Sequence, residues 1–177
     1  MAGEHGLFQK FVFFEPSVGV PLIVSYPKAL PKGKVSNALV EYFGLYPTLM
    51  ELAGLPKPEK IDASSFVPWL KNPDAKGPGA AFAEYALSWE PRYMIRTPRY
   101  KFNYNQGDIA ELYDMEADPG EHVNRSGEAS MRKIEKNLKD QLFAWYDPGS
   151  NPFFRTETPM RATLAVIAAL LHLETPL

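Results

Sequence analysis

The sequence contains no cysteine, only three histidines, and little excess of charge of either sign. The absence of cysteine excludes disulfide bridges and thiolate metal sites, and it leaves the compartment of the protein open. The formal net charge of −2 implies no general attraction to nucleic acid or to an anionic membrane surface. The first residues lack a basic region followed by an apolar one, so no signal peptide is predicted.

The composition is otherwise that of a folded domain. The 177 residues are enough to bury one sizeable core, and 45% of them are hydrophobic. The 17 prolines and 12 glycines are spread along the chain, which predicts many short elements separated by turns.

Three ionisable side chains lie on a Gly-rich stretch near the N-terminus. Glu4 and His5 lie between glycines, and Lys10 follows after a short apolar step. The apolar, β-branched run Val18–Val24 then predicts a buried strand, most clearly over Val20–Val24. Polar side chains on irregular backbone beside a rigid element are a common setting for functional residues.

The remainder of the chain predicts short helices followed by a sheet. Ser36 and Asn37 offer caps for a helical segment, and a stripe that includes Leu45 and Leu49 continues it as a core face. A short helix is expected around Val67, before a Pro/Gly-rich linker. Short apolar and aromatic runs separated by turns then predict an antiparallel sheet with strands at Ala80–Ala86, Arg92–Arg96, Tyr100–Tyr104 and Glu111–Asp114. Apolar residues at steps of three and four predict a final helix, Ser130–Trp145.

Three blocks of sequence resemble the C-terminal part of the type I sulfatases of the alkaline phosphatase superfamily, especially arylsulfatase-like and choline-sulfatase-like members. The resemblance follows the family order from Gly3 to about Trp145. The blocks are Gly3-Glu4-His5-Gly6 with Lys10, Phe14-Glu15 and Val20-Pro21-Leu22-Ile23-Val24; Leu45-Tyr46-Pro47-Thr48-Leu49 with Ala53-Gly54-Leu55; and Ile95-Arg96-Thr97 with Glu111-Leu112-Tyr113-Asp114, Asp118-Pro119-Gly120-Glu121 and Asn124.

The resemblance implies an α/β fold class, which is α+β for this piece alone. Residues 1–72 would be the C-terminal part of the main α/β sandwich, and residues 73–79 a linker. Residues 80–147 would form a small antiparallel sheet with one packed helix. Residues 148–177 form a tail of uncertain structure, in which the apolar run 162–171 is too short to span a bilayer but could be a buried or interfacial helix.

The resemblance also implies sulfuric ester hydrolysis. In the family, formylglycine made from Cys or Ser attacks the sulfur, and Ca²⁺ polarises the sulfate. Both would belong to a region upstream of Met1, so the chain would be inactive alone and would need an N-terminal sulfatase domain as its partner. Lys10 is the predicted catalytic residue, because a fixed ammonium stabilises charge on sulfate oxygens. His5 is predicted to contact the sulfate ester substrate, and no metal ligand is assigned to this chain.

Other polar residues carry weaker expectations. Glu4 is expected to anchor its loop through backbone N–H groups, and Glu15 to form hydrogen bonds inside the protein. His122 has no companion at metal-ligand spacing and is expected to be ordinary. The arginines at positions 92, 96 and 99 alternate with tyrosines as in some nucleic-acid-binding proteins, but the net charge favours a sheet surface instead.

Two alternatives remain open at this point. One is a phosphate or phosphonate ester hydrolase of the same superfamily, which the residue at the upstream nucleophile position would distinguish. The other is a non-catalytic, stand-alone remnant that acts as a binding module, which the reading frame upstream of Met1 would test.

Overall fold

The computed structural model describes residues 1–57, 59–85 and 91–146. The chain divides into two compact units, Met1–Leu142 and Phe143–Leu177. Nearly everything described below belongs to the first unit. The predicted boundaries at residues 72 and 80 stay a prediction, and the predicted tail from residue 148 lies outside the described residues.

Four antiparallel strands form one sheet in sequence order, as predicted. They are β1 (Ala81–Tyr85), β2 (Arg92–Arg96), β3 (Tyr100–Asn105) and β4 (Glu111–Asp114). Aromatic and β-branched residues favour these strands, and short turns set their register. The Thr97 N–H donates to the carbonyl of Tyr100 at 2.8 Å and closes the β2–β3 turn, while Gly107 supplies a φ of 81° in the β3–β4 turn.

Both faces of β3 are covered. Phe102 is 1% exposed on one face, and Lys101 and Asn103 are 0% and 1% exposed on the other. The period-2 pattern of β3 predicts a half-buried strand, so the second covered face is a finding of the structure. It is covered in part by the N-terminal segment, since Lys101 Nζ donates to the carbonyl oxygen of Phe13 at 2.9 Å.

The helices are short except for the last. They are α1 (Glu15–Val18), α2 (Leu45–Leu52), α3 (Val67–Lys71) and α4 (Arg132–Trp145), with 3₁₀ turns at Glu4–Gly6 and Tyr42–Gly44. The predicted last helix is confirmed, and it buries Leu138 and Leu142. Lys139 Nζ lies 5.4 Å from the ring centroid of Tyr104, which places α4 beside β3.

The prediction of a buried strand at Val20–Val24 is wrong. This segment lies outside the described helices and strands, and Ile23 is 91% exposed. A strand needs a neighbour for its N–H and C=O groups, however apolar its side chains are. Outside the four-stranded sheet, the described residues contain only the single bridge between Ala2 and Phe8.

The predicted helix start at Ser36 and Asn37 is also wrong, because residues 34–41 are irregular. The Ser36 hydroxyl donates to the carbonyl of Pro73 and accepts from the Ala38 N–H. The expected core face of α2 fails at Leu49, which is 63% exposed. Thr48 is buried instead, where its hydroxyl donates to the carbonyl of Gly44 and accepts from the N–H of Phe66, the residue before α3.

Asp114, at the end of β4, gives the protein a testable pH dependence. Its hydrogen bond from Arg99, 2.9 Å long, and those from the N–H groups of Glu116 and Ala117 lower its pKa below the ordinary value of 3.8. A lowered folded-state pKa contributes stability above the ordinary pKa and loses it as the pH falls through the folded value. We expect the melting temperature to drop below about pH 4. Asp114→Asn should flatten that drop, and an unchanged acid limb in this variant would contradict the assignment.

Candidate functional site

The loop that carries His5 is held by its own backbone. Gly3 N–H donates to the Leu7 carbonyl at 3.1 Å, and Leu7 N–H donates to the Glu4 carbonyl at 3.0 Å. His5 has a φ of 54°, a conformation that few non-glycine residues adopt. Glu4 Oε2 accepts from the Ala2 N–H at 2.6 Å, which confirms its predicted anchoring role. The same backbone hydrogen bond lowers the pKa of Glu4.

The imidazole of His5 stacks on the ring of Phe14. The ring centroids are 3.9 Å apart and the planes differ by 6°. Phe14 is buried in a cluster with Tyr113 and Met115, so the sheet supports His5 through one intervening ring. The imidazole of His122 lies 5.6 Å from that of His5. The structure therefore brings together two histidines that the sequence does not connect, and both are exposed.

Lys10 lies on irregular backbone immediately before the segment that contacts the side chains of β2 and β3. It is exposed, and among the ion pairs of the described residues none involves its ammonium group. Its neighbour Gln9 has a φ of 76°. The roles predicted for Lys10 and His5 in binding a sulfate ester stay predictions at this point.

Three cations of the sheet hold the segment Phe11–Glu15 that follows Lys10. Arg92 Nη1 donates to the Phe11 carbonyl at 3.2 Å. Lys101 Nζ lies 2.6 Å from Glu15 Oε1, and Arg96 Nε lies 3.3 Å from the same oxygen. The prediction that Glu15 forms hydrogen bonds inside the protein is confirmed. Burial by itself raises the pKa of Glu15, but Lys101 and Arg96 together bring it below its ordinary value.

A fully buried ion pair lies beneath this segment. Lys101 Nζ is 2.7 Å from Glu121 Oε1, and both side chains are 0% exposed. The other oxygen, Oε2 of Glu121, accepts from the Glu15 N–H at 2.6 Å. Sequence reasoning missed this pair. A lysine between aromatic residues of a strand is the only local signal, and it does not identify a partner on a distant turn.

The resemblance places the Ca²⁺ ligands mainly upstream of Met1, so no complete metal site is expected among the described residues. They contain no group of three or more His, Asp or Glu side chains that could hold a metal ion. We therefore assign no Ca²⁺ ligand to them. In the same described part of the chain, no helix is both long and apolar enough to cross a membrane.

An open apolar groove of about 590 Å³ begins beside the segment Phe11–Glu15, since Glu15 and Arg96 are among the residues that line it. Its lining combines the end of α1 with β1, β2 and residues near α2, including Val18, Leu22, Phe43, Phe82 and Met94. Val20, Leu22 and Phe43 are also 55%, 45% and 59% exposed. A contiguous exposed apolar surface of this kind is a typical feature of a protein or domain contact.

This exposed surface predicts the behaviour of the 177-residue chain made alone. We expect it to bind a hydrophobic dye and to self-associate, because water cannot solvate the groove and the Val20–Val24 run favourably. Dye fluorescence and light scattering measure both properties. A monodisperse monomer that melts cooperatively and binds no dye would instead support a stand-alone module.

The family described as N-sulphoglucosamine sulphohydrolase, C-terminal, matches residues 3–147. An N-acetylglucosamine-6-O-sulfatase of Bacteroides thetaiotaomicron is 37% identical over 151 residues, which are 79% of this chain and 27% of the relative. A choline-sulfatase of Rhizobium meliloti is 35% identical over 129 residues, covering 70% of this chain and 25% of the relative.

A solved structure of a protein in complex with its substrate, D-glucosamine-2-N,6-O-disulfate, superposes with a TM-score of 0.76 and 34% sequence identity. The match covers 85% of this chain and 34% of that chain. The chain thus spans about a quarter to a third of the length of the proteins that it matches.

Proposed function

The chain belongs to the sulfatase family, as a C-terminal region of the type described as N-sulphoglucosamine sulphohydrolase, and from this membership we propose that it forms one wall of the active site of a sulfuric ester hydrolase. The α/β fold class and the family expected from the sequence are confirmed. The activity of the whole protein, its substrate and its domain partner are our proposals.

One observation carries the proposal. Lys10 lies next to a segment that three cations of the sheet hold in place, and the same N-terminal region places His5 on the ring of Phe14. The imidazole of His5, fixed by stacking, and the ammonium of Lys10, next to a fixed segment, are suited to bind an anionic, polar substrate.

Lys10 has a defined role in the proposed reaction. Hydrolysis breaks the bond between sulfur and the ester oxygen, so negative charge develops on that oxygen and on the non-bridging oxygens. The ammonium of Lys10 stabilises this charge in the transition state. In the overall reaction one water molecule is consumed. Its oxygen becomes part of the sulfate, and one of its protons goes to the departing alcohol.

The nucleophile and the metal ligands are not assigned to this chain. It contains no cysteine that could become formylglycine, and its described residues lack a metal cluster. Sulfatases in general use formylglycine and Ca²⁺. We propose that the residues which supply them belong to the part of the protein that corresponds to the remaining length of the relatives, and that this part is the domain partner of the chain.

The proposed substrates are sulfate monoesters, and sulfated amino sugars are the first to test. Two of the matched proteins carry such sugars in their names or titles. The full-length protein should be assayed with N-acetylglucosamine 6-sulfate and an aryl sulfate, beside the matched phosphate and phosphonate monoesters. Release of sulfate with little release of phosphate or phosphonate is expected. A preference for phosphate or phosphonate esters would favour the alternative hydrolase, and no hydrolysis of any ester would favour the binding module.

His5 provides a smaller test of the same site. If its imidazole contributes one hydrogen bond to the substrate, His5→Ala should lower kcat/KM by about tenfold, mainly through a higher KM. His122→Ala is the matched control, because it removes the neighbouring exposed imidazole. Steady-state kinetics on both variants separate the two residues. Unchanged kinetics in His5→Ala would remove His5 from the substrate contacts.

A further inference from the structure

We propose that Lys101 is a positioning residue for sulfate ester hydrolysis, and that its buried ammonium, together with Glu121, sets the place of the segment that carries Lys10. This inference rests on the proposed function of Lys10. It concerns a residue that touches neither the substrate nor the reacting atoms, and that acts through the backbone of another segment.

The ammonium of Lys101 lies close to three oxygen atoms. Its nitrogen lies 2.9 Å from the Phe13 carbonyl oxygen, 2.6 Å from Glu15 Oε1 and 2.7 Å from Glu121 Oε1. The contact to the Phe13 carbonyl is a hydrogen bond, and the contacts to the two carboxylates are ion pairs. Two of the three acceptors belong to the segment after Lys10, and the third belongs to the turn after β4.

Glu121 also binds the backbone of the segment. Its second oxygen accepts from the Glu15 N–H, so one carboxylate bridges the ammonium and the backbone of the segment. Glu121 has a φ of 58°, in a region that non-glycine residues rarely adopt. A strained backbone persists where the surroundings over-determine it, as this pair of contacts does.

The contacts tie positions that are far apart in sequence. Lys101 and Phe13 are 88 residues apart, and Glu15 and Glu121 are 106 residues apart. Arg92 adds a contact at Phe11, the residue directly after Lys10. The backbone is thus attached at alternate residues, to the sheet at 11 and 13 and to the turn after β4 at 15, and Lys10 directly precedes the first of them.

The position of the Lys10 ammonium relative to the substrate should affect the rate of hydrolysis. Lys10 has no ion pair of its own in the described part of the chain, so the position of its backbone limits where its ammonium can lie. A misplacement of about 1 Å can cost a catalyst about a hundredfold in rate. Loosening residues 11–15 should therefore lower kcat without removing any group that binds the substrate.

The test uses the full-length protein with Lys101→Met and Glu121→Gln combined. Removing both charges avoids the unpaired buried charge that either single change leaves. We expect kcat to fall by about ten- to a hundredfold with little change in KM. We also expect faster amide hydrogen exchange in residues 3–15. Leu138→Ala is the control for general destabilisation, since Leu138 is buried on α4, and it should leave exchange in that segment and kcat unchanged.

Lys10→Ala in the same assay separates the inference from the function on which it rests. If Lys10→Ala loses activity while the double variant keeps its kcat and its exchange rates, the positioning role is overturned and the proposed function stands. If Lys10→Ala keeps full activity, the proposed function fails and the positioning role fails with it. A loss of kcat in Leu138→Ala equal to that in the double variant would show general destabilisation, which also overturns the inference.

Discussion

Replacing Lys10 with alanine is expected to lower kcat/KM for sulfate ester hydrolysis by about 100- to 1000-fold in the full-length protein. The reason is the loss of one fixed electrostatic donor to the oxygens that gain charge in the transition state, which corresponds to about 3–4 kcal/mol. The measurement is steady-state hydrolysis of an aryl sulfate, beside a thermal melt of each variant.

The melting temperature of Lys10→Ala should barely change, because an exposed ammonium contributes little to stability. Lys10→Arg should recover little activity, since a planar guanidinium needs more room than a compact ammonium. Lys28→Ala is a matched control, as Lys28 is also an exposed lysine on irregular backbone. Near wild-type turnover in Lys10→Ala at an unchanged melting temperature would make Lys10 an ordinary surface residue.

Replacing Lys101 alone with methionine should cost about 3–5 kcal/mol of unfolding free energy. The change removes the cation that pairs with the buried carboxylate of Glu121, and an unpaired carboxylate in the interior is costly. Denaturant unfolding of the variant and the wild type measures the difference. The further change Glu121→Gln should recover most of the loss, since the side chains at positions 101 and 121 are then both neutral and Glu15 keeps Arg96 as its cation, 3.3 Å away.

Lys136→Met is the control for this prediction. Lys136 Nζ lies 2.6 Å from Asp140 Oδ2, as close as Lys101 lies to Glu15, but the Lys136 and Asp140 side chains are 75% and 61% exposed. Removing the exposed pair should cost only about 0.5 kcal/mol or less. If Lys101→Met had the same unfolding free energy as Lys136→Met, the buried ion pair would contribute no more to stability than the exposed pair.

Local sequence patterns predicted the small sheet and the last helix well. The residues of β2 and β4 have the predicted bounds, and β3 extends one residue further, to Asn105. Short turns connect β2 to β3 and β3 to β4, so a side-chain pattern and its turn chemistry are enough to set the pairing. The helix α4 follows the same logic, because its apolar spacing and length are properties of one continuous segment.

The candidate site could be predicted only in part from the sequence. Lys10 and His5 could be singled out because they stand at matching spacings in a block that resembles the sulfatases, while the support beneath them could not. His122 illustrates the limit, since nothing in the chain connects it to His5 before folding places their rings 5.6 Å apart. The resemblance singled out Lys10 and His5 as predicted site residues, and it carried no information on what holds them in place.

The sequence by itself determined the family, the order of the strands, the final helix and the two candidate site residues, because each depends on neighbours within one segment or on a matching block. Only the tertiary structure decided the fate of Val20–Val24, which is apolar enough for a strand but has no partner strand among the described residues. Only the tertiary structure joined Lys101 to Glu15 and Glu121. Burial and pairing depend on the path of the whole chain, and a charged side chain looks the same in sequence whether it meets water or a buried partner.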